Sequence, residues 1–171
     1  RQPQAESYEL EQALEVLKNA RKPLIIAGGG VLYSGAAKVL SAFAKARHIP
    51  VAETQAGKGC LTWSHECAVG GIGVTGSEAA NQLAAEADVV LAIGTRLQDF
   101  TTASRTLLES ADKTLIQLNI GSFDAAKHNA LPLVGDAKAT LTQLNEQLST
   151  WRAGSTWIAQ AQALNAQWQA K

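Results

Sequence analysis

The stretch from Pro23 to Ala46, PLIIAGGGVLYSGAAKVLSAFAKA, joins a short apolar run to three consecutive glycines and then to a helical stripe. Five apolar residues bounded by Pro and Gly favour a strand buried on both faces over a helix. Ala36, Ala37, Leu40, Phe43 and Ala44 then recur at helical spacing. Strand, glycine turn and helix make the opening of a βαβ unit, and the motif is repeated along the chain. Pro50-Val51-Ala52, Ala68 to Ile72, Asp88-VVLAIG-Thr95, Thr114 to Asn119 and Leu131 to Val134 read as further strands. Helical stripes separate them, and another precedes the first strand at Leu10, Ala13, Leu14 and Leu17. Alternation of this kind predicts a parallel sheet covered on both sides. The expected fold is α/β: a three-layer, six-stranded, mostly parallel, Rossmann-like sheet with helices on both faces.

Local signals refine the outline. Thr75-Gly76-Ser77-Glu78 matches the S/T-x-x-E capping box and predicts a helix running through Leu83. Asp136 is expected to cap a helix that carries Leu141, Leu144, Leu148 and Trp151 on one side. Residues 56–67, AGKGCLTWSHEC, show no usable period and are expected to be a long loop. After Trp151, RAGST reads as a linker into a last helix bearing Trp157 and Trp168, which suggests packing on something, either within this chain or in a part outside it.

Charge and composition exclude some functions. With 15 basic and 15 acidic residues there is no basic field for nucleic acid and no polybasic patch for a membrane surface. No apolar run approaches the ~20 residues of a membrane helix. Two cysteines, Cys60 and Cys67, make no disulfide framework and suit a reducing cytoplasm. The absence of Met and the start at Arg1 suggest an internal piece of a longer protein.

In parallel α/β sheets, ligands bind beyond the carboxyl ends of the strands. Gly28-x-Gly30 supplies two glycines of G-x-G-x-x-G, but Tyr33 stands at the third position. Glu53 lies near the place of the ribose-binding acid. A P-loop is missed too, because Ala36-Ala37 stand where Lys-Ser/Thr is required. Two readings therefore stand for the glycines: a nucleotide turn, or a tight turn passing close to a neighbouring backbone. Arg96 and Asp99 follow the strongest strand, where they either meet a ligand or pair with each other and cap helix ends. Asn119, Asp124 and Lys127 follow the fifth strand on the same edge. Cys60, His65 and Cys67 do not have metal-ligand spacing, and His48, His65 and His128 are scattered. No catalytic and no metal-binding residue is expected in this chain.

Taken in order, KPLIIAGGG, IPVAETQAGKG, GGIGVTGSEAANQLAAEADVVLAIGTRLQDFTT, LIQLNIGSFDAAKH and LVGDA resemble the middle domain of the thiamine-diphosphate-dependent decarboxylase and acetolactate-synthase superfamily. The resemblance covers about residues 8–151. VAETQAGKG, GVTGSEAAN, GTRLQDFTT and LNIGSFDAAKH are similar to a branch that hydrolyses a carbon–carbon bond of a cyclic dione in inositol breakdown.

The resemblance implies a three-domain, cytoplasmic, homo-oligomeric enzyme using thiamine diphosphate and Mg²⁺, in which the cofactor serves as electron sink. Residues 1–151 would be its central domain. Residues 152–171 would be a linker and terminal helix leading to a C-terminal cofactor domain. Pyrimidine-binding and diphosphate-binding domains of the same chain would be its partners, with no nucleic acid and no membrane. The family's Gly-Asp-Gly is not met by Gly135-Asp136-Ala137, so the cofactor is expected not to bind this domain alone.

In acetolactate synthase the equivalent domain binds FAD. Its Met-His-Gly corresponds to Val74-Thr75-Gly76 and its Asp-Ile-Asp to Asn119-Ile120-Gly121, so the acids are lost, while Arg96 is matched. A tightly held FAD is therefore not expected. The candidate residual nucleotide site comprises Gly28, Gly29, Gly30, Gly94, Thr95, Arg96 and Asn119. The competing expectation is a true FAD- or nucleotide-binding domain; a free-standing sirtuin-like deacylase would need a zinc module that the sequence lacks.

Overall fold

A computed structural model describes residues 2–171. Six strands form one sheet: β1 (Pro23–Ala27), β2 (Val51–Glu53), β3 (Ala68–Gly71), β4 (Val89–Ile93), β5 (Thr114–Asn119) and β6 (Leu131–Val134). Every pairing is parallel, in the order β3-β2-β1-β4-β5-β6. The chain starts at the centre, builds outward to β3, then returns beside β1 and builds the other way. Register is continuous through the middle, with Ile25 opposite both Val51 and Leu91, and Leu91 opposite Ile116.

The longer helices are α1 (Ser7–Lys18), α3 (Ala37–Arg47), α4 (Glu78–Glu86), α7 (Ala137–Leu148) and α8 (Ser155–Gln169); α2 (Gly29–Tyr33), α5 (Asp99–Thr102) and α6 (Ser122–Ala125) are single turns. Period-two alternation sends Ile25, Leu91, Ile93, Ile116 and Leu118 to one face, against α1, α3 and α7. Leu24, Ile26, Val90 and Ala92 go to the other face, against α4 and α8. Both faces are dry, which is why these strands read as unbroken apolar runs. Each fully buried Leu or Ile contributes about 1.5–3 kcal/mol.

One expectation needs correction, and one open point is decided. The α4 cap is Ser77, not Thr75: its hydroxyl accepts the Ala80 N–H at 3.0 Å and donates to Val69 O at 2.8 Å. Gly76 explains the shift, because a Cβ there would lie 2.6 Å from Gly71 O. Residues 75–76 belong to a packed turn, and the helix starts after it. The terminal helix also finds its partner within this chain. Trp157 is 3 % exposed, its indole N–H donates to Pro23 O at 2.8 Å, and Ala161 is fully buried against the same face.

The 58–67 loop is pinned from below. Cys60 and Cys67 are buried and unpaired, and the Cys60 thiol points to Gly28 O at 3.7 Å. Burial first, then the nearby Glu53 carboxylate, pushes the Cys60 thiol up to about 12. Burial and then Glu66 do the same for Cys67, also to about 12. Both thiols are thus held protonated in the folded protein, so its alkylation at pH 8 should be far slower than that of the unfolded chain. Rapid labelling of both thiols in the native state would contradict their burial. Below the ordinary thiol pKa, folded and unfolded chains hold the same protons. As pH rises past it, the unfolded chain releases protons that the folded one keeps, and stability falls.

Candidate functional site

The carboxyl ends of β1 and β4 lie side by side where the sheet reverses its building direction, the position at which open α/β sheets hold ligands. A cleft of about 850 Å³ opens there. Gly29, Gly30, Gly94, Thr95, Arg96 and Asn119 line it; Gly28 is buried behind them. The seven residues singled out in the sequence are thus brought together. The cleft also takes Tyr33 and Ser34 from the turn of α2, Thr54 and Gln55 from the end of β2, and Phe100 and Thr101 from α5. Asp124, Gly135 and Asp136 close the far side. These come from loops distant in sequence and carry no shared motif.

The glycines are shaped by their neighbours. Gly28 N–H donates to Ile93 O at 2.8 Å and Gly30 N–H to Gly94 O at 2.9 Å, while Val31 N–H returns to Gly28 O. Three amides that a phosphate turn would offer are therefore already paired. A Cβ on Gly28 would lie 2.4 Å from Gly94 O, and one on Gly30 would lie 2.6 Å from Gly94 Cα. Gly94, at φ 61°, faces Gly30 with the same spacing. Two backbones touch here with no room for side chains. This contact lies at the carboxyl ends of the two central strands, β1 and β4.

The polar rim is largely tied down as well. Asn119 donates to Thr95 O at 3.2 Å and accepts from Gly121 N–H at 3.0 Å, linking the turns after β4 and β5. Glu53 accepts the Leu61 N–H at 2.8 Å and anchors the following loop; it does not line the cleft. Asp124 pairs with Lys127 at 2.7 Å. Asp136 caps α7, accepting the Ala139 N–H at 2.9 Å, as its position predicts. Arg96 is exposed and has no ion-pair partner among the described residues; Asp99 opens α5 without meeting it. His65 Nδ1 accepts the Cys67 N–H.

Thiamine diphosphate with its cation needs a carboxylate and amide oxygens converging on one metal. The one candidate acid in a family-like position, Asp136, is committed to its helix cap, and no group of three His, Cys, Asp or Glu side chains converges among the described residues. The residues present do not fit that cofactor. No described helix is long and apolar enough to cross a membrane.

A parallel sheet in this order, with a glycine-to-glycine contact at its switch point, defines a nucleotide-fold domain whose binding edge is largely self-satisfied. The sequence model of "Thiamine pyrophosphate enzyme, central domain" matches residues 10–144, and the chain belongs to that family. Among curated relatives it is similar to 3D-(3,5/4)-trihydroxycyclohexane-1,2-dione hydrolase of Clostridium tetani, 42% identical over 94% of this chain and 25% of the relative. The protein of the same name from Clostridium perfringens is 44% identical over 85% of this chain and 23% of the relative. That from Bacillus cereus is 48% identical over 81% of this chain and 22% of the relative. The chain spans about a quarter of the length of these relatives.

Proposed function

We propose that this chain is the central domain of a longer thiamine-diphosphate-dependent, Mg²⁺-requiring enzyme. That enzyme hydrolyses a carbon–carbon bond of 3D-(3,5/4)-trihydroxycyclohexane-1,2-dione, giving the acyclic 5-deoxy-glucuronate of inositol breakdown in the cytoplasm. The observation that carries the reading is identity of 42–48% to proteins of that name over 81–94% of this chain. Residues 1–151 are the central domain, and 152–171 lead on toward the cofactor-binding part. Pyrimidine-binding and diphosphate-binding domains of the same polypeptide, in a homo-oligomer, supply the chemistry. This chain's own work is to position them.

The cleft is a packing junction in this reading and not a tight flavin site. The amides of Gly28 and Gly30 are paired, and Asn119 is committed to its two turns. A nucleotide or anion retained there would be met by Gly29, Thr95 and the free Arg96. Acetolactate-synthase-like flavin binding is the alternative, favoured only by the cleft's size and place. The purified full-length protein decides between them. With thiamine diphosphate and Mg²⁺ it should open the dione and show no flavin absorbance. A stoichiometric flavin band without dione hydrolysis would replace the proposal with its alternative.

A further inference from the structure

Nine large apolar side chains are exposed among the described residues, and five of them gather at the carboxyl edge of the sheet. They are Tyr33 (94 % exposed), Val74 (63%), Phe100 (48%), Ile120 (62%) and Phe123 (78%). One follows β1, one β3, one β4 and two β5, so parallel topology alone brings them to the same rim. Tyr33, Phe100 and Ile120 line the mouth of the cleft, and Phe123 adjoins Asp124, which also lines it. Val74 donates its N–H to Phe100 O at 3.1 Å. With aromatic side chains of ~150–250 Å² each, the five leave roughly 600 Å² of apolar surface bare.

We propose that this rim is the docking face for another domain of the same polypeptide. The inference rests on the reading of the chain as one part of a longer enzyme, and it assigns the contact to named residues. The relatives carry about three quarters of their length outside the matched region. Roughly 600 Å² falls short of the ~800 Å² per partner that a stable free association buries. It suits a contact between tethered domains, where a linker holds the effective concentration near millimolar. Beside Phe123 the charge is already answered: Lys127 lies 4.6 Å over the ring and pairs with Asp124. That part of the rim can be covered without stranding an ion.

Hydroxyl-radical footprinting of the full-length protein, read at Tyr33, Phe100 and Phe123, tests the assignment. Each ring should be oxidised at least about fivefold more slowly than in the urea-unfolded chain, as expected where an interface core packs like a protein interior. The protection should not change on dilution. Reactivity close to that of the unfolded chain overturns the proposal. Protection lost on dilution assigns the rim to a second copy, and protection that appears only on adding FAD assigns it to a flavin; either outcome overturns it. The dione assay reads separately. A protected rim without hydrolysis removes the substrate and keeps the docking face, and hydrolysis with a bare rim does the reverse.

Discussion

Replacing Gly30 with valine is expected to unfold the domain. The new Cβ would sit 2.6 Å from Gly94 Cα and 3.1 Å from Gly94 O, and both obstacles are backbone at the end of the central strand β4. Relief requires β1 and β4 to part, and this pair carries five registered residues from Pro23 to Ala27. A loss beyond about 4 kcal/mol follows, which is a large share of a typical domain's stability. Gly35, in the same glycine-rich stretch, is the control. It has φ 66° but nothing within 4 Å of a built Cβ, so Gly35→Ala should cost only about 1–2 kcal/mol of left-handed strain. Urea melts of the two variants compare them directly. A Gly30→Val protein that melts normally and has lost only a bound nucleotide would refute the packing account of the turn.

The second large effect is expected at Arg47, which is buried at the end of α3. Its guanidinium holds the end of α7 together. Nη2 donates to Asn145 O at 3.0 Å and Oδ1 at 2.9 Å, and Nη1 donates to Trp151 O at 2.8 Å and to Ser149 O. Burial, and secondarily Arg152, lowers its pKa from the ordinary value; a guanidinium remains charged at any working pH. Arg47→Met keeps the stem but strands several carbonyls, and should cost about 3 kcal/mol, or roughly 6–12 °C in Tm for a chain of this size. Arg47→Lys should recover only part, since one ammonium cannot reach acceptors spread over two turns. A Tm within a degree or two of the parent for Arg47→Met would show the network to be ornamental.

The fold is legible in the sequence where burial is complete. PLIIA and VVLAI face apolar layers on both sides, so their pattern has one reading. What escaped is what tertiary contact imposes. No propensity scale starts a helix at Gly29-Gly30, yet α2 forms there because the backbone must turn sharply against Gly94. The capping signal at Thr75 was outranked by the crowding at Gly76 in the same way. The site divides along similar lines. Gly94, Thr95, Arg96 and Asn119 follow predictable strands and fall on the edge where parallel sheets bind. Gln55 and Phe100 join them only through loops whose course no local pattern specifies.

The helix that follows Gly154 has a consequence for where this domain stops. The family model's match ends at residue 144, but Trp157 and Ala161 seal Leu24 and Ile26 at the heart of the sheet. A knife placed at that boundary would flay one side of the slab and leave its central strands wet. The stretch that the family model recognises is shorter than what must stay in one piece to stand.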